Sequence, residues 1–328
     1  MVKYKNKILL TGGAGFYGSH ISQKILENNH DLIIVDILNS ETTDKEEKKY
    51  NLNLLKNFSQ NLESSITFYE CDITDEITLT SIFKDESPDI IIHAASLVRD
   101  RDSMIVPLEF IETNVKGTQI LLDSANKLQN LKELIFISSR SAVGEVPGAS
   151  AYMKESDHFR PINPYGATKA AAESLCHSFH HNTQIPLKIC RMQPMYGPRC
   201  RPDMFVHRIL NSIITGNKIQ KYGTGEGVRD WLYVTDAAEA LYKIMLHKTS
   251  FDIFNIGTGR GTSTNKLIEL CEKITGKKAN IENVKLPAGD AVFAGLADLE
   301  LIKKKIGWKA KVDIEEGISI TYDYMKNL

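Results

Sequence analysis

Short apolar runs alternate with amphipathic stretches through the first half of the chain. The runs at 8–10, 32–35, 66–69, 90–92, 134–137 and 187–190 are compact and nearly free of charge. Such runs read as strands buried on both faces, the pattern of a parallel sheet covered by helices. Between them, 15–28, 110–128 and 165–180 carry apolar residues at helical spacing. Strand and helix in alternation predict an α/β fold with a doubly wound parallel sheet. Past about residue 195 the alternation stops. Pro, Gly and Arg cluster at 194–202 and read as a loop. Helices are predicted at 205–215, 237–246, 265–275, 299–306 and 314–325, and strands at 219–222, 251–256 and 281–284. The division expected is a dinucleotide-binding region over 1–193, rejoined by a segment near 227–258. A smaller α/β substrate region takes up 194–328. The charged stretch 41–49 reads as a solvated surface helix.

Composition narrows the function classes. The 328 residues carry 40 Lys and Arg against 41 Asp and Glu, a net charge of -1, so no basic footprint for nucleic acid exists. No apolar run approaches the roughly 20 residues of a membrane span. The polar stretch 1–7 runs straight into a strand and does not read as a signal peptide. The five cysteines are scattered with no C-x-x-C, which argues against a disulfide framework and a zinc site. Adjacent His180 and His181 point to different sides of their helix and do not chelate together. The expectation is a cytoplasmic protein without a metal.

Candidate chemistry begins after the first strand, with Thr11-Gly12-Gly13-Ala14-Gly15-Phe16-Tyr17-Gly18. Gly12 permits a tight turn, Gly15 lets backbone approach a pyrophosphate, and Gly18 permits close helix–strand packing. The helix N-terminus supplies free N–H groups and partial positive charge. Asp36 ends the second strand, where a carboxylate accepts from an adenosine ribose and repels a 2′-phosphate, favouring NAD. Asp72 ends the third strand, either facing an adenine amino group or capping the helix after Thr74. Ala94 and Ala95 leave room at the carboxyl end of the fourth strand, beside a packed His93.

Tyr165 and Lys169 are four apart and share one helix face. An ammonium beside a phenol favours the phenolate and makes a general base. Ser139 ends the fifth strand and can hold the oxygen being oxidised. Arg140, next to it, either pairs with a substrate carboxylate or turns outward into an ion pair.

Together, the glycine triad, Asp36, Ser139, Tyr165 and Lys169 resemble the extended short-chain dehydrogenase/reductase family over essentially the whole chain. Within it the chain is most similar to the NAD-dependent nucleotide-sugar epimerases of the UDP-glucuronate and UDP-glucose 4-epimerase type. Thr113-Asn114-Val115-Lys116-Gly117-Thr118, Asn163-Pro164-Tyr165, Tyr196-Gly197-Pro198, Val228-Arg229-Asp230-Trp231 and Phe254-Asn255-Ile256-Gly257 fit that pattern. Gly197-Pro198-Arg199-Cys200-Arg201-Pro202-Asp203-Met204 resembles a G-P-x-G-R-P-D-M segment, with Cys200 replacing glycine.

The resemblance implies that Tyr165 removes a C4 hydroxyl proton, that hydride passes to a resident NAD, and that a 4-keto sugar takes it back on its other face. It implies that Ser139 holds the C4 oxygen and Lys169 the nicotinamide ribose, and that Asn114 positions the helix or a water. Phe16, Tyr17, Ile73, Ala94, Ala95 and Asn114 fall on the cofactor side; Arg99, Ser141, Arg201, Arg229 and Asp290 fall on that of a UDP-sugar. A homodimer through the helices near Phe110 and Tyr165 is also implied. The chain departs from the pattern at Arg140 and Val143, at Pro194, at Arg101 in the loop 96–103, and before Gly289, where the nearest cation is Lys285. Arg140-Ser141 stands where a 4,6-dehydratase carries an acidic pair. A UDP-glucuronate decarboxylase, a 2-epimerase or 4-ketoreductase, and a non-catalytic NAD-binding regulator are the other readings.

Overall fold

The computed structural model describes residues 5–38, 45–145, 151–290 and 294–328. Seven parallel strands form the central sheet: β1 (Lys7–Thr11), β2 (Asp31–Asp36), β3 (Ile66–Glu70), β4 (Ile90–His93), β5 (Glu133–Ser139), β6 (Leu187–Met192) and β7 (Phe251–Ile256). Their order is β7-β6-β5-β4-β1-β2-β3, with the reversal beside β1. The strands are apolar throughout because side chains alternate between two buried faces. Leu9, Ile33 and Ile91 enter one core, while Ile8, Leu10, Ile34, Ile90 and Ile92 enter the other.

Helices cover both faces. α1 (Phe16–Glu27) and α2 (Lys45–Ser59) lie on one. α3 (Glu76–Glu86) and two later helices, over Gly117–Asn126 and Pro164–Thr183, cover the other. Asp75 caps α3 through Thr78, so the capping role considered for Asp72 belongs to Asp75. The loop expected at 96–103 is helical from its midpoint, as α4 (Asp100–Ile105). The single helix expected at 110–128 is three pieces: α5 (Pro107–Ile111), a π-helical turn (Glu112–Lys116) and α6 (Gly117–Asn126). Apolar periodicity does not register one extra residue in a turn.

α7 (Pro164–Thr183) starts with Asn163 accepting from the Gly166 N–H and Pro164 in the first turn, a position that needs no donor. It is anchored by an internal ion pair. The Arg191 guanidinium of β6 donates to both Glu173 oxygens at 2.9–3.1 Å, and Ser138 Oγ donates to the same carboxylate. At the end of α7, His180 Nδ1 lies 2.8 Å from the Ile185 carbonyl.

The second part packs α8 (Phe205–Thr215), α10 (Thr264–Thr275) and α12 (Ile314–Lys326) around a third core containing Ile209, Leu267, Cys271 and Ile318. Between α8 and α10, α9 (Val234–Leu246) packs against α1, leading into β7, and α11 (Glu300–Ile306) lies beside β7. Short strand pairs complete this part, among them Val228–Asp230 antiparallel to Gly261–Ser263.

Candidate active site

A cleft runs along the carboxyl ends of β1, β4 and β5, where the sheet reverses and ligands bind in such folds. Its main cavity holds about 390 Å³ and is lined by Gly12, Gly15, Asp36, Asp72, Ser139, Tyr165 and Lys169, among others. Phe16, Tyr17, Gly18, Ile73, Ala94 and Ala95 also line it.

The glycines do three different jobs. Gly12 has φ +74°, and a Cβ there would lie 2.8 Å from the Ala95 nitrogen. At Gly18 a Cβ would lie 1.9 Å from the Gly12 carbonyl oxygen. At Gly15 it would meet only that oxygen, at 3.4 Å, and otherwise project into open space. The backbone is therefore bare at the mouth of α1, as a pyrophosphate requires. Thr11 Oγ1 accepts from the Ala94 and Ala95 N–H groups and bonds His93 Nδ1. Burial drives His93 down to about 3, so the ring is neutral, a packed strand-end residue. A phosphate cradle, a strand-end carboxylate and an open floor fit a dinucleotide.

Asp36 is built into that cradle. Its carboxylate accepts from the Ala14 N–H and from Lys48 Nζ, both at 2.9 Å, and Lys48 also donates to the Ile37 carbonyl. Asn51 Nδ2 donates to the Ala14 carbonyl. Lys48 is buried while Lys45 and Glu46 are exposed, so the stretch read as a solvated helix over 41–49 turns one lysine inward. Residues 41–44 of that stretch lie outside the described residues. Lys48 was missed because helical periodicity treats a lysine as surface. A helix following a strand-end Asp was the one available signal.

Asp72 accepts from the Thr74 N–H and hydroxyl at 2.8 Å, an Asx-type turn that places its carboxylate on the cavity wall. Asn114 does not line the cavity. Its amide accepts from the Leu97 N–H and donates to the Leu97 carbonyl and to Thr168 Oγ1. It is a positioning residue between the loop after β4 and α7, not a cofactor contact. It sits in the π turn, a local irregularity of a kind frequent at functional sites.

The Ser139 hydroxyl accepts from the Ser141 N–H and reaches the Tyr165 phenol. Burial pushes Tyr165 up to about 12; the Ser139 hydrogen bond and the charges of Arg201 and Arg140 pull it down, while Asp100 pushes it up. Lys169 is not among the main influences on the phenol. It donates to the Ile137 carbonyl at 3.0 Å, and burial lowers it to about 8. Its four-residue spacing from Tyr165 places both side chains on one helix face, and both line the cavity.

Arg140 faces inward, so its reading as a surface ion pair is set aside. It lines both the main cavity and a side chamber, held beside Asp100 and Asp290. Arg201 forks onto Asp203 at 2.8 and 3.0 Å, and Arg99 pairs with Asp102 and Asp203. Arg229 donates to its neighbour's carbonyl in a strand fixed by Asp230, which accepts from Thr258 and Gly259. Asp290 accepts from Arg101, whose guanidinium lies 3.6 Å over the Tyr222 ring. Arg99, Arg101, Arg201, Arg229, Tyr222 and Asp290 bound an outer chamber of about 460 Å³ with Phe205 and Trp231. Asp100 and Trp231 fall in stretches that the sequence marked, without a role of their own, and Tyr222 was not marked; apolar periodicity does not register polar or aromatic side chains that face a cavity. All five cysteines are buried, and no cluster of metal-ligating side chains occurs among the described residues.

The NAD dependent epimerase/dehydratase family model matches residues 8–257. The chain belongs to this family. It is 32% identical over 320 residues to a UDP-glucuronate 4-epimerase of Thermodesulfobacterium geofontis, covering 97% of this chain and 95% of that one. It is 31% identical to a dTDP-glucose 4,6-dehydratase of Escherichia coli, over 98% of this chain and 94% of the other. A Bacillus cereus UDP-glucuronic acid 4-epimerase, solved with UDP-glucuronic acid and NAD, superposes with a TM-score of 0.90 at 30% identity. That match spans 98% of this chain and 99% of the other. The family member described here uses NAD, and its central sheet is the doubly wound one expected. No helix among the described residues is long and apolar enough to cross a membrane.

Proposed function

We propose that this enzyme inverts C4 of a UDP-sugar of the glucuronate or glucose type, through a transient 4-keto sugar. The observation that carries the reading is one wall of the cleft, where Ser139 and Tyr165 meet beside the glycine-cradled cavity. NAD, when bound, accepts and returns a hydride at the sugar carbon. Tyr165 takes the C4 hydroxyl proton and gives it back after the sugar has turned. Ser139 holds the C4 oxygen, and Lys169 grips the nicotinamide ribose. Arg229 and Arg201 bind the diphosphate, where planar guanidinium forks suit phosphate oxygens.

A dehydratase must also move a proton at C5 and one at the departing C6 oxygen. The two positions after Ser139, which adjoin the sugar, hold Arg140 and Ser141, and neither supplies a carboxylic acid. This favours epimerisation. A homodimer is part of the proposal. Met104, Ile105, Leu108 and Ile111 are exposed on α4 and α5 beside the small Ala167 and Ala171 of α7.

The test is an assay of purified protein with no added cofactor against UDP-glucose, UDP-N-acetylglucosamine and UDP-glucuronate, with products resolved by NMR. Conversion to a C4 epimer is expected. A pentose product with CO₂, or a 4-keto-6-deoxy product, would replace this reading with a decarboxylase or a dehydratase.

A further inference from the structure

Beside the main cavity lies a side chamber of about 210 Å³. Asp100, Arg140, Ser141 and Pro194 line both spaces, so one sugar ring placed over Tyr165 can extend a substituent into the chamber. Three groups on its walls lack partners among the described residues. The Arg140 guanidinium makes no hydrogen bond or ion pair with them. Trp231 Nε1 is a buried donor without an acceptor, and Asp100 Oδ1 is a buried acceptor without a donor. Buried polar groups in folded proteins are nearly always satisfied, so such a cluster beside a cavity points to a ligand.

The charge count says which kind. Arg140 and Arg229 face the chamber along with Asp100 and Asp290. Asp290 is already committed to Arg101 at 2.8 Å. Three guanidiniums, those of Arg101, Arg140 and Arg229, thus line the chamber against two carboxylates, those of Asp100 and Asp290. The strain is visible in Arg229, which burial and then Arg140's charge press down to about 10. One further anion balances the chamber.

We infer that Arg140 is a specificity residue that receives a carboxylate carried by the sugar itself, with the Trp231 indole N–H as a second donor. This rests on the epimerase reading above. The nucleotide diphosphate is bonded to C1, across the ring from C4. Arg140 follows Ser139 directly and its charge is felt at the Tyr165 phenol, so it sits at the C4 end. The carbon next to C4 that carries an exocyclic carbon is C5, which in a uronic acid bears the carboxylate. Pro194, on the same wall, has neither a side-chain donor nor a backbone N–H. Of the residues that line both spaces, Arg140 alone carries the positive charge to bind that carboxylate.

The test is equilibrium binding of UDP-glucuronate, UDP-glucose and UDP to the NAD-loaded enzyme, by calorimetry, for the native protein, Arg140→Gln and Arg140→Lys. NAD content reports that each variant is folded. The native enzyme is expected to bind UDP-glucuronate about 10- to 100-fold more tightly than UDP-glucose, the worth of a charge-assisted forked hydrogen bond. Arg140→Gln removes most of that preference, and Arg140→Lys restores part of it. Equal affinity of the native enzyme for the two sugars overturns the inference. So does an Arg140→Gln variant that loses the same factor for UDP-glucuronate, UDP-glucose and UDP, which would put Arg140 on the diphosphate. A retained uronate preference in an enzyme that inverts no sugar would keep the carboxylate site and topple the epimerase reading.

Discussion

Tyr165 is buried, so its proton leaves only against a desolvation cost that holds the phenol near 12. The opposing charges are those of Arg201 and Arg140, and a cationic nicotinamide would add to them. Replacing Tyr165 by Phe removes the base and leaves the cradle intact. Turnover should fall about a thousandfold, within the usual range for general acid–base catalysis, with NAD still bound. Wild-type turnover in Tyr165→Phe would remove Tyr165 from the mechanism. A second outcome concerns pH. Arg201 favours the phenolate, so losing it raises the Tyr165 pKa and leaves less base at a given pH. Arg201→Met should move the rising limb of kcat against pH upward by about one unit. An unmoved limb would mean that Arg201 does not act on the phenol. At this scale the sequence made Ser139, Tyr165, Asp36 and the glycines visible because each occupies a strand end or helix start. The charge balance around Tyr165 was invisible, since Arg201 reaches it from a loop and Lys169 turns to Ile137 instead.

The first strand, its loop and α1 act as one unit. Gly18 packs against Gly12, whereas Gly15 faces open space. Gly15→Ala should therefore lower NAD retention while leaving the melting temperature nearly unchanged. Gly18→Ala should lower both, because a Cβ 1.9 Å from the Gly12 carbonyl forces α1 off the sheet. Bound NAD read from the ultraviolet spectrum, beside a thermal melt, separates the two; equal melting temperatures for both variants would contradict the packing role given to Gly18. Strand positions were legible throughout, because apolar runs between helices have one economical arrangement. Element ends and interruptions were less so. The π turn at Glu112–Lys116 inserts Asn114 between the loop after β4 and α7 without disturbing the apolar stripe. The helix from Lys45 looked like surface until Lys48 was found on Asp36.

Across the whole molecule, the sheet supplies the cofactor floor and the later helices and loops supply the sugar side. Both parts reach the chamber where Arg140 of the first meets Arg229 and Trp231 of the second. Residues 96–103 and 286–290 were hard to place from sequence, because their contacts join segments almost two hundred residues apart, as Arg101 and Asp290 do. On the outside, Ile105 and Leu108 are more than three-quarters exposed, an apolar face unusual for a lone surface helix. Light scattering should report a dimer, and Leu108→Glu should convert it to a monomer. A native monomer would remove the proposed interface.

The central claim is that the hydrogen leaving C4 returns to C4, while only the hydroxyl proton passes through Tyr165. UDP-glucuronate and UDP-glucose deuterated at C4 put this to the test, with products followed by NMR in ordinary water. The account predicts an epimer that keeps its deuterium at C4. Deuterium lost to solvent, or carried to C6, would contradict it.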